Sequence, residues 1–198
     1  VCREASKQEI IRRYYQSLAG RVEETSTDQE VFKLELLMKQ AGISPENRKV
    51  TVAAKERAEQ TGGPAAAIEL EDGQIITGKT SDLLGASAAL LLNTLKELAG
   101  IQHKIHVISP VAIEPIQKLK TEYLGSKNPR LHTDEVLIAL SSSAATSDIA
   151  KLALEQLPKL KGCQVHSSVM LSSVDKKIFK KLGVQLTAEP VYEHKKLY

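Results

Sequence analysis

Apolar residues recur at helical spacing through the first sixty positions of the chain, and then the pattern changes. Ile11, Tyr15, Leu18 and Val22 form one stripe, with Arg12, Arg13 and Arg21 largely off it. Ser26-Thr27-Asp28 reads as the cap of a second helix carrying Val31, Leu34, Met38 and Ala41, and Gly42 stops it. Ser44-Pro45-Glu46 starts a further helical stretch that ends at Thr61-Gly62-Gly63-Pro64. This is an all-α segment whose apolar faces need partners, either in the rest of the chain or upstream of it.

Beyond Pro64 the pattern becomes α/β. Residues 65–70 and 74–78 alternate as strands around Asp72-Gly73, a strong hairpin signal. A helix from about Ser81 to Ala99 is apolar nearly all round, so it is expected to be buried on most sides, and Asn93 within it must find a hydrogen-bond partner. A strand is expected at Ile105–Ile108. A helix opened by Ser109-Pro110 follows to about Leu124, with Pro115 adding a bend. Thr133 is expected to cap the next helix, and Ser147-Asp148 the one after it, to about Leu157. Strands at 164–169 and 184–188 flank a short helix capped by Ser173 and ending at Lys181. Strands alternating with helices predict a mixed sheet covered by helices. The expected divisions are a helical segment over 1–60, an α/β subdomain over 61–190 and a tail over 191–198.

Composition excludes more than it assigns. With 198 residues, 42% hydrophobic and 26% charged, the chain can bury a good core and has the make-up of an ordinary globular protein. Its 27 basic and 24 acidic residues are evenly mixed, and there is no Trp, so neither an electrostatic footprint nor a stacking platform for nucleic acid is expected. The longest apolar stretch, 83–92, is too short to span a bilayer, which needs about 20 residues. Cys2 and Cys163 are far apart, which makes a reduced cytoplasmic setting the expectation. The opening Val1-Cys2-Arg3 lacks an initiator methionine and reads as a piece of something longer.

Gly73-Gln74-Ile75-Ile76-Thr77-Gly78-Lys79-Thr80 matches the phosphate-loop pattern, with an apolar strand before it and a long helix after it. A phosphate loop needs inward-pointing backbone N–H groups, which favours small residues between its glycines. Here the filling is Gln-Ile-Ile-Thr, and β-branched residues prefer a strand. The hairpin is therefore the favoured reading. Gly78, Lys79, Thr80 and Ser81 still form a candidate anion site, because free N–H groups at a helix start, a lysine and hydroxyls suit an anion.

The best polar cluster is His132-Thr133-Asp134-Glu135. His132, Asp134 and Glu135 are candidate acid/base residues, although cap chemistry and dipole-complementing acids also account for Thr133, Asp134 and Glu135. The hydroxyl-rich run 141–147 leads into a helix and suits an anion, but a helix-to-helix connection, which needs no ligand, is the favoured reading. His106 and His166, both on expected strands, meet only if those strands are adjacent.

Thr61-Gly62-Gly63-Pro64-Ala65-Ala66-Ala67-Ile68-Glu69-Leu70, Thr77-Gly78-Lys79-Thr80-Ser81 and Leu84-Gly85-Ala86-Ser87 resemble one group of bacterial proteins. So do the runs Asn128 to Leu137 and Leu154 to Cys163. The group is the uncharacterised UPF0371 family, also called domain of unknown function 1846, and the resemblance covers essentially the whole chain. It implies that this is the C-terminal part of a longer protein, with a glycine-rich, phosphate-loop-like segment upstream. It also implies a helical segment followed by a three-layer α-β-α subdomain similar in topology to cytidine deaminases. A zinc deaminase needs a His or Cys ligand, a glutamate two residues on and a later P-C-x-x-C. At the corresponding helix this chain offers Ser81, Asp82 and Ser87, and Cys163 stands alone. Some members are labelled ATP-dependent zinc protease, but H-E-x-x-H is missing from these residues.

The resulting expectation is a non-catalytic assembly or regulatory module, without metal or cofactor in this chain. Its expected partner is the missing N-terminal part of the same protein, a homo-oligomer is compatible with it, and nucleic acid and membrane are not expected. The alternative is a nucleotide-dependent hydrolase or transferase, with a phosphate site near Lys79 and polar residues His132 and Glu135.

Overall fold

A computed structural model describes residues 2–193; side chains are described from Glu4 onward. The two leading helices are α1 (Cys2–Val22) and α2 (Asp28–Ala41). As the sequence predicts, Thr27 caps α2. Its hydroxyl accepts from the Glu30 N–H while the Glu30 carboxylate accepts from the Thr27 N–H, and Gly42 ends the helix. Ile11, Tyr15 and Leu18 of α1 pack against Val31 and Met38 of α2. Pro45–Asn47 then makes one 3-10 turn before α3 (Lys49–Thr61).

A hairpin follows, formed by β1 (Ala65–Glu69) and β2 (Ile75–Lys79). Its loop has three residues, one more than the dipeptide signal predicts. The Gly73 N–H donates to Leu70 O and the Leu70 N–H to Gln74 O, and Gly73 at φ 84° supplies the left-handed step that closes such a loop. The phosphate-loop-like run is thus one turn followed by one strand. Gly78 earns its place by close approach: a Cβ there would stand 2.1 Å from the Leu90 backbone nitrogen of the helix above.

That helix is α4 (Ala86–Leu98), which starts five residues later than the sequence pattern suggests. Ser81 instead closes a local turn by accepting the Leu84 N–H. Asn93 finds its partner in Thr77 O at 2.9 Å. The expected strand at 105–108 does not form: the segment is irregular and bent, with Val107 and Ile108 buried and His106 exposed. No sheet edge is paired with it, and its apolar side chains seal the core as a loop.

The chain continues through α5 (Pro110–Lys118), a π turn at Leu119–Tyr123, α6 (Thr133–Ala144), α7 (Asp148–Leu154) and β3 (Gln164–Ser167). It closes with α8 (Ser173–Lys181) and β4 (Gln185–Ala188). Two caps fall one residue earlier than expected, at His132 for α6 and Ser172 for α8.

The four strands make one mixed sheet in the order β2-β1-β3-β4, with β3 and β4 parallel and the other pairs antiparallel. Helices α1 and α3 contact one face, where Val50 and Ala54 pack on Ala67 and Tyr15 meets His166 edge to face. The main core lies on the other face. There Ile68 and Val165 join Leu90, Leu91 and Leu95 of α4, Leu140 of α6 and Phe179 of α8. Among the described residues no helix is long and apolar enough to cross a membrane.

Candidate functional site

The start of α4 is brought beside the segment leading into α6 by a short parallel bridge. Leu84 pairs with Leu131, the Gly85 N–H donates to Leu131 O at 3.1 Å and the Leu131 N–H to Leu83 O at 2.9 Å. The start of α8 joins them through Asp175. This buried carboxylate accepts the Thr133 N–H at 3.0 Å and the Thr133 hydroxyl at 2.8 Å on one oxygen. Its other oxygen accepts the Ser172 hydroxyl at 2.9 Å and lies 3.2 Å from His132 Nδ1. Three helix N-termini thus converge on a cavity of about 180 Å³, lined by Thr80, Gly85, Ser87, Arg130, His132 and Ser172 among others.

The three ends are not finished alike. In α6 the Glu135 carboxylate accepts the His132 N–H at 2.7 Å, and Asp175 takes the next N–H. In α8 the Ser172 hydroxyl accepts the Asp175 N–H. α4 begins at Gly85, which has no side chain to cap with. Ala86, Ser87 and Ala88 are 7%, 4% and 0% exposed, and their N–H groups have no acceptor among the described residues. Buried, uncapped N–H groups at a helix start are costly unless something accepts from them. The Ser87 hydroxyl beside them is likewise without a hydrogen-bond partner among the described residues.

The charges around the cavity are held in place from behind. The hydrogen bond to Asp175 raises the His132 pKa against the opposing effect of burial. Burial would raise the Asp175 pKa, and the bonds from His132 and Thr133 outweigh it and lower it. With Nδ1 turned to the carboxylate, Nε2 is the ring nitrogen left for a ligand. The Arg130 backbone is gripped on both sides: Asn128 Oδ1 accepts its N–H at 3.1 Å, and the Lys120 ammonium donates to its carbonyl.

The residues singled out from sequence separate here. His132 and Thr80 line the cavity; Lys79 is exposed at the end of β2, and Gly78 lies buried under α4. Ser81 is exposed in its turn, outside the lining. Asp134 accepts the Glu135 N–H, and Glu135 is held by Lys120 at 2.8 Å, so both carboxylates serve the helix start. His166 lies fully buried on the opposite side of the sheet from α4 and does not meet His106. Sequence reasoning missed Asp175, Ser172 and Arg130. Asp175 stands 43 positions from His132, and no local pattern announces that pairing.

A larger groove of about 640 Å³ runs between α1 and β4, but two of the three cations that line it are already engaged, Arg12 by Glu9 and Lys176 by Glu23, and Lys180 is exposed. The small cavity is the better candidate because the N–H groups at the start of α4 and the Ser87 hydroxyl beside them are unspent.

Comparison with known proteins places the whole chain. The model of domain of unknown function DUF1846, C-terminal, matches residues 46–198, and its N-terminal counterpart matches residues 1–42. A UPF0371 protein of Corynebacterium efficiens is 57% identical over all 198 residues, and one of Corynebacterium urealyticum is 56% identical. A UPF0371 protein of Streptococcus pyogenes is 54% identical over 195 residues, or 98% of this chain. The chain spans about 40% of the length of these relatives.

Proposed function

The chain belongs to the DUF1846 family, and from that premise we propose that it is an anion-binding module of a longer protein, a unit that senses or holds a small ligand for the remainder to act upon. The observation that carries this reading is the buried, uncapped start of α4 opening into the cavity. Its free N–H groups and the positive end of the helix dipole recognise negative charge; the Ser87 hydroxyl supplies a further donor, and His132 adds one at Nε2 when its ring is protonated. The cavity volume suits a phosphate or carboxylate group and falls below the roughly 300 Å³ from which pockets for larger ligands begin. A nucleotide would place only its phosphate here.

The hairpin, the helix α4 that follows it and the parallel β3–β4 pair support a likeness in topology to the cytidine deaminases. The cavity then takes the place at helix starts that a zinc site would hold, with Ser87 near the start of α4 where the metal chemistry would need a stronger ligand. Assembly with the upstream part of the longer protein remains within this proposal.

Gly85→Asp tests it. Gly85 has ordinary extended geometry at φ −66° and ψ 160°, and an added Cβ meets nothing closer than Leu131 O at 3.6 Å. A built-in carboxylate there caps α4 and occupies the anion's place. The expected outcome is loss of phosphate binding in calorimetric titration, with a gain of about 0.5 kcal/mol in stability. Unchanged phosphate binding in this variant would sink the proposal.

One observation favours a second reading, catalysis. The His132–Asp175 pair leaves Nε2 placed as a general base or acid. In that case phosphomonoester turnover is detectable in the wild type and abolished in His132→Asn. Equal rates in the two chains would remove His132 from consideration.

A further inference from the structure

Two carboxylates line the cavity among the described residues, and they differ in how firmly they are built in. Asp175 is buried and accepts from Thr133, Ser172 and His132. Glu193 reaches in from the segment that follows β4, which is fixed by the Met170 N–H donating to Val191 O at 2.7 Å. Its carboxylate meets Arg130 Nη1 at 2.9 Å, with the Glu193 side chain 44% exposed and that of Arg130 19% exposed.

The pair is lopsided. Arg130 stands on a backbone fixed from both sides and offers a planar fork of donors suited to two parallel bonds. Glu193 takes one of them, and the remaining donors have no partner among the described residues. A singly bonded ion pair open to solvent adds little, so a ligand able to use the fork displaces it readily.

We propose that Arg130 is a ligand-binding residue of this cavity, selecting a dianionic group of the phosphomonoester kind, and that Glu193 is its internal competitor, which keeps the arginine occupied until ligand arrives. This rests on the anion-binding reading above. A phosphate seated on the α4 N–H groups and the unpartnered hydroxyl of Ser87, a residue 4% exposed, turns further oxygens towards Arg130. A monoanion satisfied by the helix start gains little from a second cation. A dianion gains more, because its second charge meets the guanidinium.

The test is a double-mutant cycle read by calorimetric titration with inorganic phosphate on the full chain. Glu193→Gln is expected to tighten phosphate binding about threefold, the size of an exposed ion pair. Arg130→Gln is expected to weaken binding about tenfold, and adding Glu193→Gln to that background to give no further gain. Both substitutions leave the backbone contacts of Arg130 in place. An unchanged affinity in Glu193→Gln overturns the competitor. So does the same gain in the presence and absence of Arg130, which would mark a long-range charge effect. If phosphate binds wild type and Glu193→Gln equally, the cavity reading stands while this one falls. No binding by any of the chains removes both.

Discussion

Two neighbouring rows of the same sheet, one residue apart, face opposite ways and have opposite chemistry. The row Thr77, Ala67, His166 and Thr187 faces α1 and α3. There His166 Nδ1 lies 2.9 Å from the Thr187 hydroxyl and Nε2 lies 3.2 Å from Glu189, which also accepts from Tyr15 at 3.0 Å and Lys55 at 3.0 Å. Burial would raise the Glu189 pKa, yet His166 and Lys55 hold it down at about 2. Arg48, fully buried nearby, spends its donors on Thr187, Gln164 and two strand carbonyls. The row Gly78, Ala66, Ser167 and Ala188 faces α4, and its small residues admit that helix closely. At the end of that row the cavity leaves N–H groups and a hydroxyl unspent. A satisfied polar cluster fixes structure, whereas an unsatisfied one awaits something.

The most damaging way to probe this contrast is Glu189→Ala. It strands a buried imidazole, a tyrosine hydroxyl and a lysine together, and is expected to cost about 3 kcal/mol in urea denaturation. Gly78→Ala attacks the opposite face, where backbone atoms of Leu90 cannot give way; a loss of about 2 kcal/mol is expected. Ser87→Ala, on that face but at the cavity, should leave stability within about 0.5 kcal/mol while weakening phosphate binding. A large stability loss there would mean that the hydroxyl is structural and would erase the contrast.

The smallest effect is one of slope. Burial lowers the His166 pKa, outweighing Glu189. Its contribution to stability is therefore complete above the unfolded value of about 6.5 and is lost as the pH falls towards the folded value. Asp175 raises the His132 pKa, so the His132 contribution is complete below about 6.5 and is lost as the pH rises through the folded value. The two oppose each other near neutrality. His132→Asn removes one of them, and stability should then rise more steeply between about pH 5 and 8 than in the wild type. A shallower rise would assign the signs the other way round.

Local signals carried much of the fold into the sequence. The cap at Thr27, the Gly42 stop, the Asp72-Gly73 turn and the apolar α4 are each decided by neighbours within one turn, and each was legible. Ile105–Ile108 was not, because a strand exists only where an edge accepts it, and that depends on distant chain. Of the site, His132 was visible as a polar residue at a helix start. Asp175, Arg130 and the vacant cap of α4 were not, since each takes its meaning from a contact across the fold or from a missing one. The literal motif at 73–80 lies on the hairpin that its Gln-Ile-Ile-Thr filling favours, because a pattern of residue types does not specify which backbone carries it.

The arrangement of Glu189 and Glu193 has a mechanical side. The first is locked to α1, α3 and the sheet, and the second touches the cavity, with only three residues between them. Four steps of extended chain reach about 14 Å at most. This tether has little slack to absorb movement, and the Met170 N–H pins it at Val191, so a displacement at Arg130 loads the segment between β3 and α8 as well as Tyr15 and α1.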